Sequence, residues 1–392
     1  MPITERPKRG TRPANRRDLI VDAATHLFAT RGYENINMAH VAEAVAVRPS
    51  ALYRHFSSKE DMLLETVMRV ADDLATTFAD QDDAALIAST LAQYSLDHRT
   101  AGAIWEREVR HLSPESYTQA RRAMGAVRDQ IHRLIRTAHG ADRFHTDLAS
   151  SAAVAVAQSI AFHGVSMSRP AFDHYLTSLI DDAFHAALTA PAGSNRAPRR
   201  GLARASRSSE ILTGALRLFS EHTFASVTVD DIAASAGLVT SGLYNYYDSK
   251  VSLLSTALQR ANGYLQMGLD DVLGDHDEPA AALHGLMEHY AGFSSRHPHL
   301  VHVLLTEIRN LPEHEKQHLV KAQREYVGEW TTLLEESRPE LDHAAAAITV
   351  HAAIGVSNTL VRRPLLQSGA APAVLHVMDA VLDVSSSGRA RE

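Results

Sequence analysis

Glutamate followed three residues later by histidine occurs three times, at Glu108/His111, Glu315/His318 and Glu340/His343. On a helix this spacing sets a carboxylate and an imidazole on one face, as di-iron carboxylate sites require. Such a site also needs further glutamates at matching places on an inward face, and these are not evident. Solvated surface histidine is the simpler reading of the 23 histidines, so neither a metal nor another cofactor is expected. Asp72-Asp73 and Asp270-Asp271 lack a third aspartate four residues after the first, so a Mg²⁺–diphosphate motif fails. No nucleophile elbow or phosphate-cradling glycine loop is present. The absence of cysteine excludes disulfides and thiolate metal sites and fits a reducing compartment. Enzymatic chemistry therefore finds little support.

The chemistry that does stand out is charge. Residues 1–17 hold Arg6, Lys8, Arg9, Arg12, Arg16 and Arg17 against Glu5, and residues 191–207 hold Arg196, Arg199, Arg200, Arg204 and Arg207 with no acid. The whole chain is nevertheless at −7. A polyanion responds to the local potential of one face rather than to the total, so these segments are candidate phosphate-seeking arms. Hydrophobic residues at 45% and charged residues at 22% describe an ordinary globular protein, and 392 residues imply more than one domain. The apolar run 152–157 is broken by Gln158, Ser159 and His163, and no signal-peptide pattern follows the basic start. No membrane contact and a cytoplasmic location are expected.

These arms precede two copies of one unit. Sliding the chain by 191 positions lays residues 20–64 on 211–255 without a gap, with eleven of the 45 pairs identical. Ile20, Ala24, Leu27 and Phe28 follow helical spacing, as do Ile211, Ala215, Leu218 and Phe219. A second short helix carries Val41, Ala42 and Val45, matched by Ile232, Ala233 and Ala236. Breaks at 46–48 and 237–239 lead to a third helix with Leu52 and Phe56, or Leu243 and Tyr247, facing inward. Ser58-Lys59-Glu60-Asp61 reads as a capped start of a fourth. Three short helices with a tight turn between the second and third are a helix-turn-helix.

The spaced set resembles the TetR family of regulators. Its carriers are Val41-Ala42, Leu52-Tyr53, His55-Phe56 and Ser58-Lys59-Glu60 in the first copy. In the second they are Ile232-Ala233, Ala236-Gly237-Leu238, Leu243-Tyr244, Tyr246-Tyr247 and Ser249-Lys250. Departures are Ala46 at the turn glycine and Arg48 and Val239 at the cap serine, which leave the third helices open to a shifted or frayed start. The fused arrangement is also similar to actinobacterial regulators of lipid-uptake (mammalian cell entry) operons.

The resemblance implies a third helix in the major groove. Base-facing candidates are then Pro49, Ser50, Ala51 and Arg54, and Thr240, Ser241, Gly242 and Asn245. Tyr53, His55 and Lys59, with Tyr244, Tyr246 and Lys250, fall at phosphate-contacting positions, and Asn37 and Thr228 open the second helix where a phosphate can approach. Arg54 has the geometry to read guanine and Asn245 adenine, with backbone contact the alternative for both. Core packing and simple solvation are the plain alternatives for the tyrosines and lysines. The C-terminal regions, which share Glu108-Val109-Arg110-His111-Leu112 and Glu307-Ile308-Arg309-Asn310-Leu311, resemble the family's sensing and dimerising part. Alanine-rich pairs at 148–167 with 172–188, and 344–361 with 373–384, would pack as a four-helix bundle. Candidate pocket residues are Tyr94, Trp105 and His163, and Tyr290, Tyr326 and Trp330, with core packing again the alternative.

The expected architecture is all-α: two tandem TetR-like modules forming an intramolecular pseudo-dimer. Its parts are a basic arm (1–17), a helix-turn-helix domain (18–64), a helical sensor and dimerisation domain (65–190), a linker with the second arm (191–207), a second helix-turn-helix domain (208–255), a second sensor domain (256–384) and a tail (385–392). The expected partners are a double-stranded operator and a small-molecule effector, hydrophobic or acyl-type by the narrower resemblance. An all-helical metal-dependent enzyme, or an adaptor with vestigial helix-turn-helix segments, is the rival.

Overall fold

The structure, a computed structural model, describes residues 16–79, 81–192, 206–363 and 370–383. The tail at 385–392, most of the first arm and most of the linker lie outside them. The described residues are helical without a strand, as the periodicity predicts. No described helix is long and apolar enough to cross a membrane. The chain divides into two compact units, residues 1–164 with 169–180, and residues 165–168 with 181–392.

The first unit opens with α1 (Arg16–Arg31), α2 (Met38–Ala44) and α3 (Pro49–Leu52), followed by the long α4 (Lys59–Ala79). Ile20, Ala24 and Phe28 of α1 meet Val41, Ala42, Leu52, Phe56 and Leu63 in one core, and all are at most 1% exposed. Truncating one of its large side chains to alanine would cost about 2–5 kcal/mol. That core continues into Ala103, Ile104, Val109 and Leu112. These lie in a tightly wound segment built of α6 (Ala101–Ala103), a π-turn (Ile104–Glu108) and a 3₁₀ turn (Val109–His111), reached through α5 (Ile87–Asp97). Helix α7 (Pro114–His139) starts on the Ser113 cap with Pro114 at its first position, and ends on Gly140 at φ 61°. It packs on α4 and on α8 (Arg143–Ser159); α9 (Arg169–Thr189) spans the division between units.

The second unit repeats the plan. Helices α10 (Arg207–Glu221), α11 (Val229–Ser235), α12 (Thr240–Leu243) and α13 (Lys250–Asp275) enclose Ile211, Phe219, Ile232, Leu243 and Leu254. Val303 and Leu311 close this core from below, as Ile104 and Leu112 close the first. The remainder is α14 (Pro279–Arg296), α15 (Pro298–Thr306), α16 (Glu313–Ser337), α17 (His343–Leu360) and α18 (Ala370–Leu382), with α16 against α13, α14 and α17. Alanines 345, 346, 352 and 353 are buried on α17, where small side chains permit close helix approach.

Candidate nucleic-acid interface

Each third helix is a single turn, four residues long, and starts without a side-chain cap at Arg48 or Val239. The start is not displaced between the copies: Pro49 and Thr240 stand at equivalent positions, 191 apart. The preceding turn needs a left-handed residue, which Gly237 supplies at φ 65° and Ala46 at φ 55°. Leu52 and Leu243 are fully buried beneath the helix, and Phe56 and Tyr247 anchor its far end.

Most of the residues named as contact candidates lie on the outer side. Tyr53 is 59% exposed, Tyr244 51% and Tyr246 47%, far more than a packing role would leave on aromatic rings. Pro49, Ser50, Arg54 and His55 are exposed with them, as are Ser241 and Asn245, while Ala51, Thr240 and Gly242 are half-buried. The described helix-turn-helix thus presents polar and aromatic groups around a backbone that already has its support underneath.

Four expected positions have internal roles that sequence spacing does not reveal. Asn37 caps α2 by accepting from the His40 backbone N–H at 3.0 Å, while His40 Nδ1 accepts from the Asn37 N–H at 3.2 Å. Thr228 does the same for α11, with Asp231 as the reciprocal partner. Each box satisfies two otherwise unpaired donors and contributes about 1 kcal/mol. The Lys59 ammonium donates to the Tyr33 carbonyl at 2.9 Å and sits 3.9 Å from the centre of its ring. Lys250 repeats this on Phe224, donating to the Phe224 and Val227 carbonyls at 2.6 and 2.8 Å. Partial burial lowers the Lys59 pKa. Both lysines therefore fasten the loop between the first two helices, whatever else they touch.

Three further residues gain importance from the structure. Arg17, counted with the arm, lies over the Phe56 ring at 4.6 Å, donates to the His55 carbonyl at 3.0 Å and pairs with Glu65. Its counterpart is Ser208, whose carbonyl accepts from the Tyr247 hydroxyl at 3.0 Å. Arg48, read only as a missing cap, is exposed beside the third helix and has no side-chain cap bond, whereas Val239 stands there at 73% exposure. Glu108, one of the apparent metal-ligand glutamates, is 2% exposed and accepts from the Tyr33 N–H at 2.8 Å. It ties the π-turn to the helix-turn-helix loop. The other two such glutamates are likewise engaged, Glu315 by Ser255 and Glu340 by Arg338.

Of the pocket candidates, Tyr290, Tyr326 and Trp330 form one aromatic group with ring centres 6.2–6.4 Å apart. Those of the first unit are dispersed. Tyr94 lies tilted against His98 and donates to the Val70 carbonyl, Trp105 packs on the helix-turn-helix core, and the His163 carbonyl accepts from Arg99.

Comparison with known proteins is consistent with the duplication. The model of bacterial regulatory proteins of the tetR family matches residues 20–66 and again 211–257. The model of the tetracyclin repressor-like C-terminal domain matches residues 276–362. The HTH-type transcriptional regulator TcmR of Streptomyces glaucescens is 39% identical over 54 residues, 14% of this chain and 24% of that protein. The HTH-type transcriptional repressor KstR2 of Rhodococcus jostii (strain RHA1) is 33% identical over 107 residues, 25% of this chain and 52% of that protein. The chain thus spans from about a quarter to about half of the length of these curated relatives. A solved TetR-family transcriptional regulator from Bordetella parapertussis 12822 is 22% identical, with 46% of this chain and 96% of that one covered and a TM-score of 0.43.

Proposed function

The chain belongs to the TetR family of bacterial regulatory proteins, and from this premise we propose that it is a sequence-specific, ligand-responsive transcriptional repressor, working in the cytoplasm, in which one chain supplies both DNA-reading helices. The observation that carries this reading is the pair of helix-turn-helix units with exposed tyrosines flanking a buried leucine anchor. Two such helices in one chain do what a homodimer otherwise does, but they need not be alike. Arg54 and Asn245 differ at equivalent places, so the operator has two unlike half-sites. Residues 65–190 and 256–384 act as sensor and dimerisation domains that join as a pseudo-dimer, and the basic segments 1–17 and 191–207 add salt-dependent affinity.

DNase footprinting of the purified protein on its own upstream region tests the reading. One protected stretch, lost on changing either Arg54 or Asn245 together with the adjacent tyrosine, is expected. No protection at any salt concentration would contradict it.

A further inference from the structure

Helix α16 turns Tyr326 and Trp330, four residues apart, into the interior it shares with α13, α14 and α17. Tyr326 is 5% exposed and Trp330 is completely buried. Neither the Tyr326 hydroxyl nor Trp330 Nε1 has a hydrogen-bond partner. The indole N–H is near enough to the phenol to influence it, without the geometry of a hydrogen bond. The phenol oxygen accepts as well as donates, so the indole N–H could turn to it, but the phenol O–H would still lack an acceptor. Tyr290 completes the aromatic group, but its hydroxyl already donates to Asn358 Oδ1 at 2.8 Å. An unmade buried hydrogen bond costs about 1–3 kcal/mol, and native proteins keep few of them.

Burial pushes the Tyr290 phenol up to about 12, opposed only by its bond to Asn358. Burial and Tyr290 push Tyr326 up as well, opposed by the Trp330 indole. Taking a carboxylate out of water among these rings costs more than taking a neutral acceptor. In the first unit the segment 108–112 lies 199 positions before 307–311. That register puts Val127 and Ile131, both buried and apolar, where Tyr326 and Trp330 stand.

We propose that the second unit alone holds a site for a neutral, apolar small molecule bearing a carbonyl-type acceptor, gripped by the Tyr326 hydroxyl and Trp330 Nε1 among these three rings. The regulatory meaning of such a site rests on the function proposed above; the binding itself does not require DNA. In full-length protein carrying Trp105→Phe, Trp330 is the sole tryptophan and its emission reports on the site. Titration with 2-undecanone, undecanoic acid and undecane should shift that emission with at least tenfold higher affinity for the ketone. Adding Tyr326→Phe should weaken ketone binding about tenfold and leave the ligand-free Tm unchanged or raised, because the hydroxyl removed had no partner. Equal affinity for the three compounds would overturn the proposal. So would a lower Tm for Tyr326→Phe with unchanged ketone affinity, the result expected if a buried water satisfies the hydroxyl. Protein that binds the ketone but no DNA would support this site while overturning the regulatory reading.

Discussion

In the first helix-turn-helix the turn before the third helix is made by Ala46 at φ 55°, and in the second by Gly237 at φ 65°. In the first, a guanidinium from Arg17 covers the Phe56 ring; in the second, the hydroxyl of Tyr247 reaches the Ser208 carbonyl instead. Each pair does the same mechanical work with different chemistry. The outer faces have not been held in the same way. Residues 37–59 carry Arg48, Arg54 and Lys59 against Glu43, while residues 228–250 carry Lys250 against Asp230, Asp231 and Asp248. Asp230 also holds the Thr240 hydroxyl at the start of α12. A face with excess positive charge is drawn to any duplex, and one with excess negative charge must be held there by specific contacts or by its partner. On the function proposed above, anchoring falls to the first helix-turn-helix and discrimination to the second.

The largest expected effect tests that division. Changing Arg48 and Arg54 together to Ala should lower operator affinity on the order of 100-fold and reduce the log K versus log [salt] slope by about 2. Asn245→Ala should cost about 1–3 kcal/mol in one half-site and leave the slope unchanged. Equal slope changes in the two variants, measured by fluorescence anisotropy across a salt series, would erase the distinction.

Next in size is the lysine clip, which the two copies share. Lys250→Met removes two carbonyl contacts and an aromatic contact, for a loss of about 2 kcal/mol, and Lys59→Met, with one carbonyl, about 1 kcal/mol. Urea unfolding gives both values. If neither variant is destabilised but both lower the salt slope by about 1, the lysines act at phosphates and not as clips.

The smallest effect has opposite signs in the two copies. Ala46→Gly should stabilise by about 1 kcal/mol and Gly237→Ala destabilise by a similar amount, since L-residues disfavour positive φ. A Cβ at Gly237 would meet nothing within 4 Å, so conformation and not crowding sets the cost. Two changes of the same sign in thermal melts would show that the turns are not equivalent.

Much of this was legible in the sequence because it is local. The 191-residue repeat, the inward Leu52 and Leu243, the turn at 46 and 237, and the Ser58 cap that accepts from the Asp61 N–H all follow from spacing and residue type. The Lys59 and Lys250 clips were hidden because each reaches a carbonyl 26 positions back, and a lysine in a first helical turn looks solvated. Glu108 showed only a spacing shared with metal ligands, because spacing alone cannot show that its carboxylate meets an N–H 75 residues away. The pocket candidates of the first unit were grouped by type, whereas helix register brought together only those of the second, where Tyr326 and Trp330 share one helix face.

The central claim is that one chain reads one asymmetric site with two unlike helices. Selection of bound sequences from a random DNA library, followed by native mass spectrometry of the selected complex, measures it directly. The account predicts a consensus of two dissimilar half-sites bound by a single chain, with Arg54→Ala relaxing one half and Asn245→Ala the other. A palindromic consensus occupied by two chains, with either substitution relaxing both halves equally, would contradict it.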